Sequence, residues 1–143
     1  MLVDTNVLVD VLQNDTDWVD GSISQLRAQS QIHRLIINPI VYAELSLTFS
    51  RLEALDRVLA KMVLPVVEVL TPALFLAGKA FVEYCRGGGQ KSNVLADFFI
   101  GAHAAVARIP VLTRDVQRYQ SYFPSVRLVT PEVRLLLVFV SFS

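Results

Sequence analysis

Met1-Leu2-Val3-Asp4-Thr5-Asn6-Val7-Leu8 is the stretch that decides the fold. Leu2 and Val3 read as the end of a buried strand, and Asp4 follows with no room for a loop. In an open α/β sheet, a carboxylate at the tip of a central strand points into the rim where ligands bind. Asp4 is therefore expected to anchor a cluster of four acids with Glu44, Asp97 and Asp115. The rest of the chain reads as the scaffold that brings the other three to it.

Downstream, Val7–Leu12 continues as a short apolar helix that Asn14-Asp15-Thr16 breaks. Thr16 is expected to cap a second helix, running to about Ser30, with Trp18, Val19, Ile23 and Leu26 on its apolar face. Asp15, Asp17 and Asp20 read as a solvated, helix-starting run. Leu35-Ile36-Ile37 is a second strand, and Asn38-Pro39 has the cap-then-proline order that opens a helix. Arg51–Met62 forms another amphipathic helix, and the two together suggest a hairpin over the site or a partner surface. Val66–Leu70 is a third strand, and Thr71-Pro72 again reads as cap then proline, for a helix ending near Cys85. Ser92 or Asn93 caps the next helix, from Leu95 to Val106. That helix is apolar nearly all round and so is expected to be buried; Gly101 and its alanines allow close backbone approach. Pro110–Thr113 is a fourth strand ending in Arg114-Asp115, a short helix runs through Tyr119, and Val126–Val129 is a fifth strand closed by Thr130-Pro131. This alternation predicts an α/β fold with a parallel sheet and right-handed crossovers. Residues 1–131 form the domain; 132–143 are an apolar tail that reads as an edge strand, a dimer contact or a disordered end.

With 143 residues, of which 53% are hydrophobic, the chain can bury a sizeable core, which excludes disorder. No apolar run reaches the roughly 20 residues of a membrane span. Met1 runs straight into a strand, so no signal peptide is expected. Cys85 is the single cysteine, so no internal disulfide can form, and a cytoplasmic location is the default. Thirteen basic residues balance thirteen acidic ones, which leaves no global basic footprint for nucleic acid. Any such binding has to come from a local patch or a metal.

In βαβ units, strand C-termini and helix N-termini share one edge of the sheet. Asp4 ends a strand, Asp115 lies just past one, and Glu44 and Asp97 lie within about two turns of their helix starts. All four belong to that edge. Each has a plainer role open to it: Asp4 as a helix cap, Asp115 as a helix-start residue, Glu44 as a solvated side chain. Asp97 resists such a reading, because a carboxylate within Val94-Leu95-Ala96-Asp97-Phe98-Phe99-Ile100 is costly to bury and no Lys or Arg lies within the same two turns. Two carboxylates about 4 Å apart repel by roughly 4 kcal/mol at an effective dielectric of 20, a cost that a proton or a cation relieves. Oxygen-only ligands suit a hard ion such as Mg²⁺ or Mn²⁺. Asn6 and Thr113, beside two of the acids, can support them or serve as turn residues. His103, six residues past Asp97, falls about 240° around the helix and faces elsewhere; His33 and His103 read as structural or solvated, and Cys85 as a buried filler.

Asp4-Thr5-Asn6-Val7, Ala43-Glu44-Leu45, Leu95-Ala96-Asp97 with Gly101-Ala102-His103-Ala104, and Leu112-Thr113-Arg114-Asp115 resemble the four motifs of the PIN-domain ribonucleases. The resemblance runs from about residue 1 to 131 and is nearest to the VapC-type toxins of toxin–antitoxin modules, in length and in the ending Leu128-Val129-Thr130-Pro131. It implies a five-stranded three-layer α/β/α sandwich, Mg²⁺ or Mn²⁺ dependence, RNA cleavage, homodimerisation and a cognate antitoxin. It also implies Asp4, Glu44, Asp97 and Asp115 as the metal and catalytic set, with Asn6 and Thr113 in support. RNA contacts are then expected from Arg86, Lys91, Arg114 and Arg118. The tail after Pro131 departs from the family's short ending. Two alternatives stand beside this reading: a phosphoacceptor receiver domain, which would want a lysine after its last strand, and a PIN-like RNA-binding scaffold without catalysis. Gly87-Gly88-Gly89 lacks the spacing of a phosphate-binding loop.

Overall fold

The structure is a computed structural model and describes residues 1–89 and 94–131. The expected cap at Ser92 or Asn93, Lys91 and the 132–143 tail lie outside the described residues. Three short strands, β1 (Leu2–Val3), β2 (Val111–Leu112) and β3 (Leu128–Val129), pair in parallel in that order. Single parallel bridges extend the ladder on the other side of β1, Leu2 with Ile36 and Ile37 with Val66. All five expected strand segments are thus joined, and in chain order they lie 3-2-1-4-5 across the sheet. The described helices are α1 (Thr5–Leu12), α2 (Val19–Ser30), α3 (Pro39–Ser46), α4 (Leu52–Lys61), α5 (Thr71–Arg86), α6 (Leu95–Ala107) and α7 (Val116–Tyr122). Successive strand residues point to opposite faces, yet Leu2, Val3, Val111 and Leu112 are all 0% exposed. Both faces of the sheet are therefore covered, giving the three-layer α/β/α sandwich.

Local chemistry explains most helix boundaries. Asn38 Oδ1 accepts from Val41 N at 2.9 Å with Pro39 opening α3, as the sequence predicts. Two expected caps are different. The carboxylate of Asp15, not Thr16, takes the free amides before α2, accepting from Asp17 N and Trp18 N at 2.9 and 3.0 Å; an ionised acceptor outcompetes a hydroxyl there. Thr71 is the first residue of α5 rather than its cap, which is Leu70 with no side-chain bond.

α6 is buried through Phe98, Ile100, Gly101, Ala102, His103 and Ala104, as its all-round apolar pattern requires. A Cβ on Gly101 would lie 2.3 Å from the Phe123 ring, so this glycine lets the ring rest on the helix backbone. Phe98 gathers the rings of Phe81, Tyr84, Tyr122 and Phe123 at centroid distances of 5.2–6.0 Å and ties α5 and α7 to α6. On α5 the buried stripe is Ala73, Ala77 and Ala80. Cys85 falls off that stripe and is exposed, which corrects its reading as a buried filler. Among the described residues no helix is long and apolar enough to cross a membrane.

Candidate metal centre

In this strand order the chain turns left from β1 to the Ile36 segment and later returns to its right at β2. The gap between β1 and β2 is thus the switch point, where open α/β sheets leave a crevice at the strands' carboxyl ends. Asp4 stands on one lip of that crevice and Thr113-Arg114-Asp115 on the other.

Asp4 is 3% exposed and has four donors. Its Oδ1 accepts from Thr5 N at 2.7 Å, so it does serve the start of α1. Its Oδ2 accepts from Thr113 Oγ1 at 2.7 Å and from the Tyr119 hydroxyl at 3.0 Å, with a longer contact of 3.4 Å from Asn6 Nδ2. Burial raises its pKa and the nearby charge of Glu44 adds to this, while the bonds from Thr113, Tyr119 and Thr5 oppose it.

Glu44 is half-buried on α3 and linked to Asp4 through one residue: Thr5 donates its amide to Asp4 and its hydroxyl to Glu44 Oε1 at 2.6 Å. Burial, and then the charge of Asp97, raise the Glu44 pKa. The helix carrying it is held from behind. Asn38 commits its oxygen to Val41 N, so its Nδ2 donates to His103 Nδ1 at 3.2 Å. His103 is then neutral and protonated on Nε2, in keeping with the pKa that burial lowers. It is a structural histidine.

Asp97 lies in the first turn of α6 and Asp115 at the N-cap position of α7. Asp115 makes no side-chain cap; its amide donates to Thr113 Oγ1 at 3.0 Å. Both carboxylates turn to Arg118, whose Nη1 donates to Asp97 Oδ2 and, at 3.1 Å, to Asp115 Oδ2. Even so, the Asp97 pKa is pushed up to about 6, first by burial and then by the charge of Asp4, with Asp115 adding to it and Arg118 opposing.

The four acids therefore share one electrostatic neighbourhood, each raised or raising another across the crevice. Arg118 is the cation now among them, and among the described residues no three acidic, histidine or cysteine side chains form a ready-made coordination cage. The donor chemistry fits a hard divalent ion: carboxylates only, surplus negative charge, and side chains at Asp97 and Asp115 that are 24% and 35% exposed. Asp4, Asp97 and Asp115, with Glu44 behind Thr5, are the residues that could hold one.

Of the remaining predicted residues, Asn6 Oδ1 accepts from Arg114 N at 3.2 Å, a bond that crosses the crevice. The Arg114 side chain turns inward, its Nε 3.4 Å from buried Asp10 and its guanidinium 4.6 Å from the centre of the Trp18 ring. Arg86 is exposed at the end of α5. Sequence reasoning missed Tyr119, Thr5 and Asp10. Tyr119 is fully buried, with a pKa well above 10 through burial and the charges of Asp4 and Asp97, so it stays a donor. Its spacing of four from Asp115, one helical turn, was the available signal. Asp10 is 3% exposed and accepts from Ser22 Oγ at 3.1 Å.

No curated protein matches the sequence significantly. Among solved structures, the chain is similar to a VapBC2 complex of Rickettsia felis bound to a DNA fragment from its promoter, with TM-score 0.70 and 19% identity over 92% of this chain and 98% of that one. VapBC-1 of nontypeable Haemophilus influenzae gives TM-score 0.68 and 20% identity over 90% and 96%. A toxin–antitoxin complex from Klebsiella pneumoniae gives 0.66 and 21% over 91% and 96%. Likeness at this identity establishes a common fold. Residues 1–122 match the family described as the PIN domain, and the chain belongs to that family.

Proposed function

We propose that this protein is a Mg²⁺- or Mn²⁺-dependent endoribonuclease and the VapC-type toxin of a toxin–antitoxin pair. The observation that carries the reading is the convergence of half-buried Asp97 with three further acids, Asp4, Glu44 and Asp115, at one crevice, where burial and the charge of Asp4 push the Asp97 pKa up to about 6. Family membership supports nuclease chemistry. The three complexes named above support an antitoxin partner.

A bound divalent ion would supply Lewis acidity, lowering the pKa of water and offsetting phosphate charge. The chain's own residues do the positioning. Thr113 and Tyr119 stop Asp4 from rotating, and Thr5 fixes Glu44 to the same lip. Asp97 and Asp115 face each other across Arg118 on the opposite lip. This chemistry does not use the ribose 2′-hydroxyl, so the expected products carry 5′-phosphate and 3′-hydroxyl ends. Residues 1–131 are the catalytic domain in this reading, acting in the cytoplasm as a homodimer. Apolar side chains exposed on α5 (Leu74, Phe75, Val82), at the end of α3 (Leu47) and at the start of α4 (Leu52) offer surface for a second copy and for the antitoxin.

A receiver domain would have strand order 2-1-3-4-5; here the third segment, at Val66, is at the sheet edge, followed by an exposed Glu68.

The test is to incubate antitoxin-free protein with a tRNA and rRNA pool in Mg²⁺, Mn²⁺ or EDTA, with Asp97→Asn as control. Discrete fragments with 5′-phosphates, absent with EDTA and in the variant, support the reading. RNA binding without cleavage would make the chain a scaffold, and cleavage that persists in EDTA would remove the metal from the mechanism.

A further inference from the structure

We propose that Arg118 is a built-in competitor for the metal: its guanidinium holds Asp97 and Asp115 in the ion-free protein and must leave them for a divalent cation to bind. The inference rests on the metal-nuclease reading and deepens it.

One nitrogen, Nη1, donates to Oδ2 of both acids. This shared donor puts positive charge between Asp97 and Asp115, two of the residues that would hold the ion. The alternatives around it are limited, because Oδ2 of Asp4 is already occupied by Thr113, Tyr119 and Asn6. Among the described residues, Arg118 is the one donor to Oδ2 of Asp97 and of Asp115. The exchange has a route, since the Arg118 side chain is 28% exposed and its two partners 24% and 35%. It also leaves the helix undisturbed. α7 is anchored by buried Tyr119 and by Tyr122 and Phe123 against Phe98, so the arginine can swing outward without moving its backbone. A guanidinium brings one charge to a site with four acids, and a divalent ion brings two. The exchange therefore runs toward the metal, but at an apparent affinity weakened by the bonds that Arg118 gives up. The displaced guanidinium is then a cation on the rim of the crevice.

Titration calorimetry with Mn²⁺ at pH 7.5 tests this on the wild type, Arg118→Lys and Arg118→Gln. Removing the competitor is expected to tighten binding at least tenfold in Arg118→Gln, with Arg118→Lys in between. Equal or weaker binding by folded Arg118→Gln overturns the inference and leaves the nuclease reading standing. No binding by any of the three overturns both. If Arg118→Gln does not fold, NMR of the arginine side chains in the wild-type protein decides. In EDTA the two Arg118 Nη signals should be distinct and slow to rotate, and saturating Mg²⁺ should merge them. Signals unchanged by Mg²⁺ in a protein that binds it overturn the proposal.

Discussion

The Tyr119 hydroxyl donates to Asp4 Oδ2 at 3.0 Å, joining the last described helix to the first strand tip across 115 positions. Tyr119→Phe keeps the ring and removes the donor, leaving that oxygen to Thr113 and Asn6. Hydrogen bonds to charged groups contribute about 1.5–3 kcal/mol. Tyr119→Phe should lose stability in that range by urea unfolding and should also weaken Mn²⁺ binding, because Asp4 is freer to rotate. A variant as stable as the wild type, with unchanged Mn²⁺ affinity, would show that Thr113 suffices.

Stability should fall, not rise, as metal-free protein is taken from mildly acid to neutral pH. In the folded state Asp97 keeps its proton up to about pH 6, while the unfolded chain releases it near 3.8. Between those values the folded state binds more protons, so each step up in pH favours unfolding. Asp4 and Glu44 shift in the same direction. From pH 4.5 to 7.5 in EDTA, Asp97 alone should cost on the order of 2 kcal/mol, and Asp97→Asn should flatten the profile. Urea unfolding at the two pH values measures it; a protein that gains stability over this interval contradicts the shared crevice.

Gly101→Ala should destabilise despite alanine's better helix propensity. Its Cβ would meet the Phe123 ring at 2.3 Å, and that ring is buried against Phe98. Overpacking of this kind costs about 1–3 kcal/mol. The double variant Gly101→Ala with Phe123→Leu should recover part of the loss relative to the sum of the two single changes, as read from thermal unfolding in a double-mutant cycle.

Asn38→Ala should cost about 1–2 kcal/mol through loss of the helix cap. It also strands His103 without its donor. Since α3 carries Glu44, RNA cleavage should drop several-fold although no acid is altered. Cleavage at the wild-type rate in a destabilised variant would separate the cap from the site.

The four acids were legible because strand tips and helix starts fall on one sheet edge whatever the side chains do. Asn38-Pro39 and Gly101 were legible for a similar reason, since their chemistry is local or steric. Arg118 was not. Its role depends on α7 crossing the start of α6, and no spacing within either helix encodes that. The same holds for Arg114, which the sequence offered as a rim cation and the fold turned toward Asp10 and Trp18. Thr16 failed as a cap for a different reason: a stronger local acceptor, Asp15, stood one residue away.

The strand order also fixes when the site comes into being. β1 is at the centre of the sheet, yet its neighbour on the β2 side is separated from it by more than a hundred residues. During synthesis, β1 can pair early with the Ile36 segment, but its other edge stays open until Val111 has left the ribosome. Asp4 then waits for Thr113 and Tyr119 before its carboxylate is held. Chains interrupted between α6 and α7 carry Asp4, Glu44 and even Asp97 without the geometry that joins them. Whatever chemistry the crevice performs is thereby withheld from the nascent chain until synthesis has passed Tyr119.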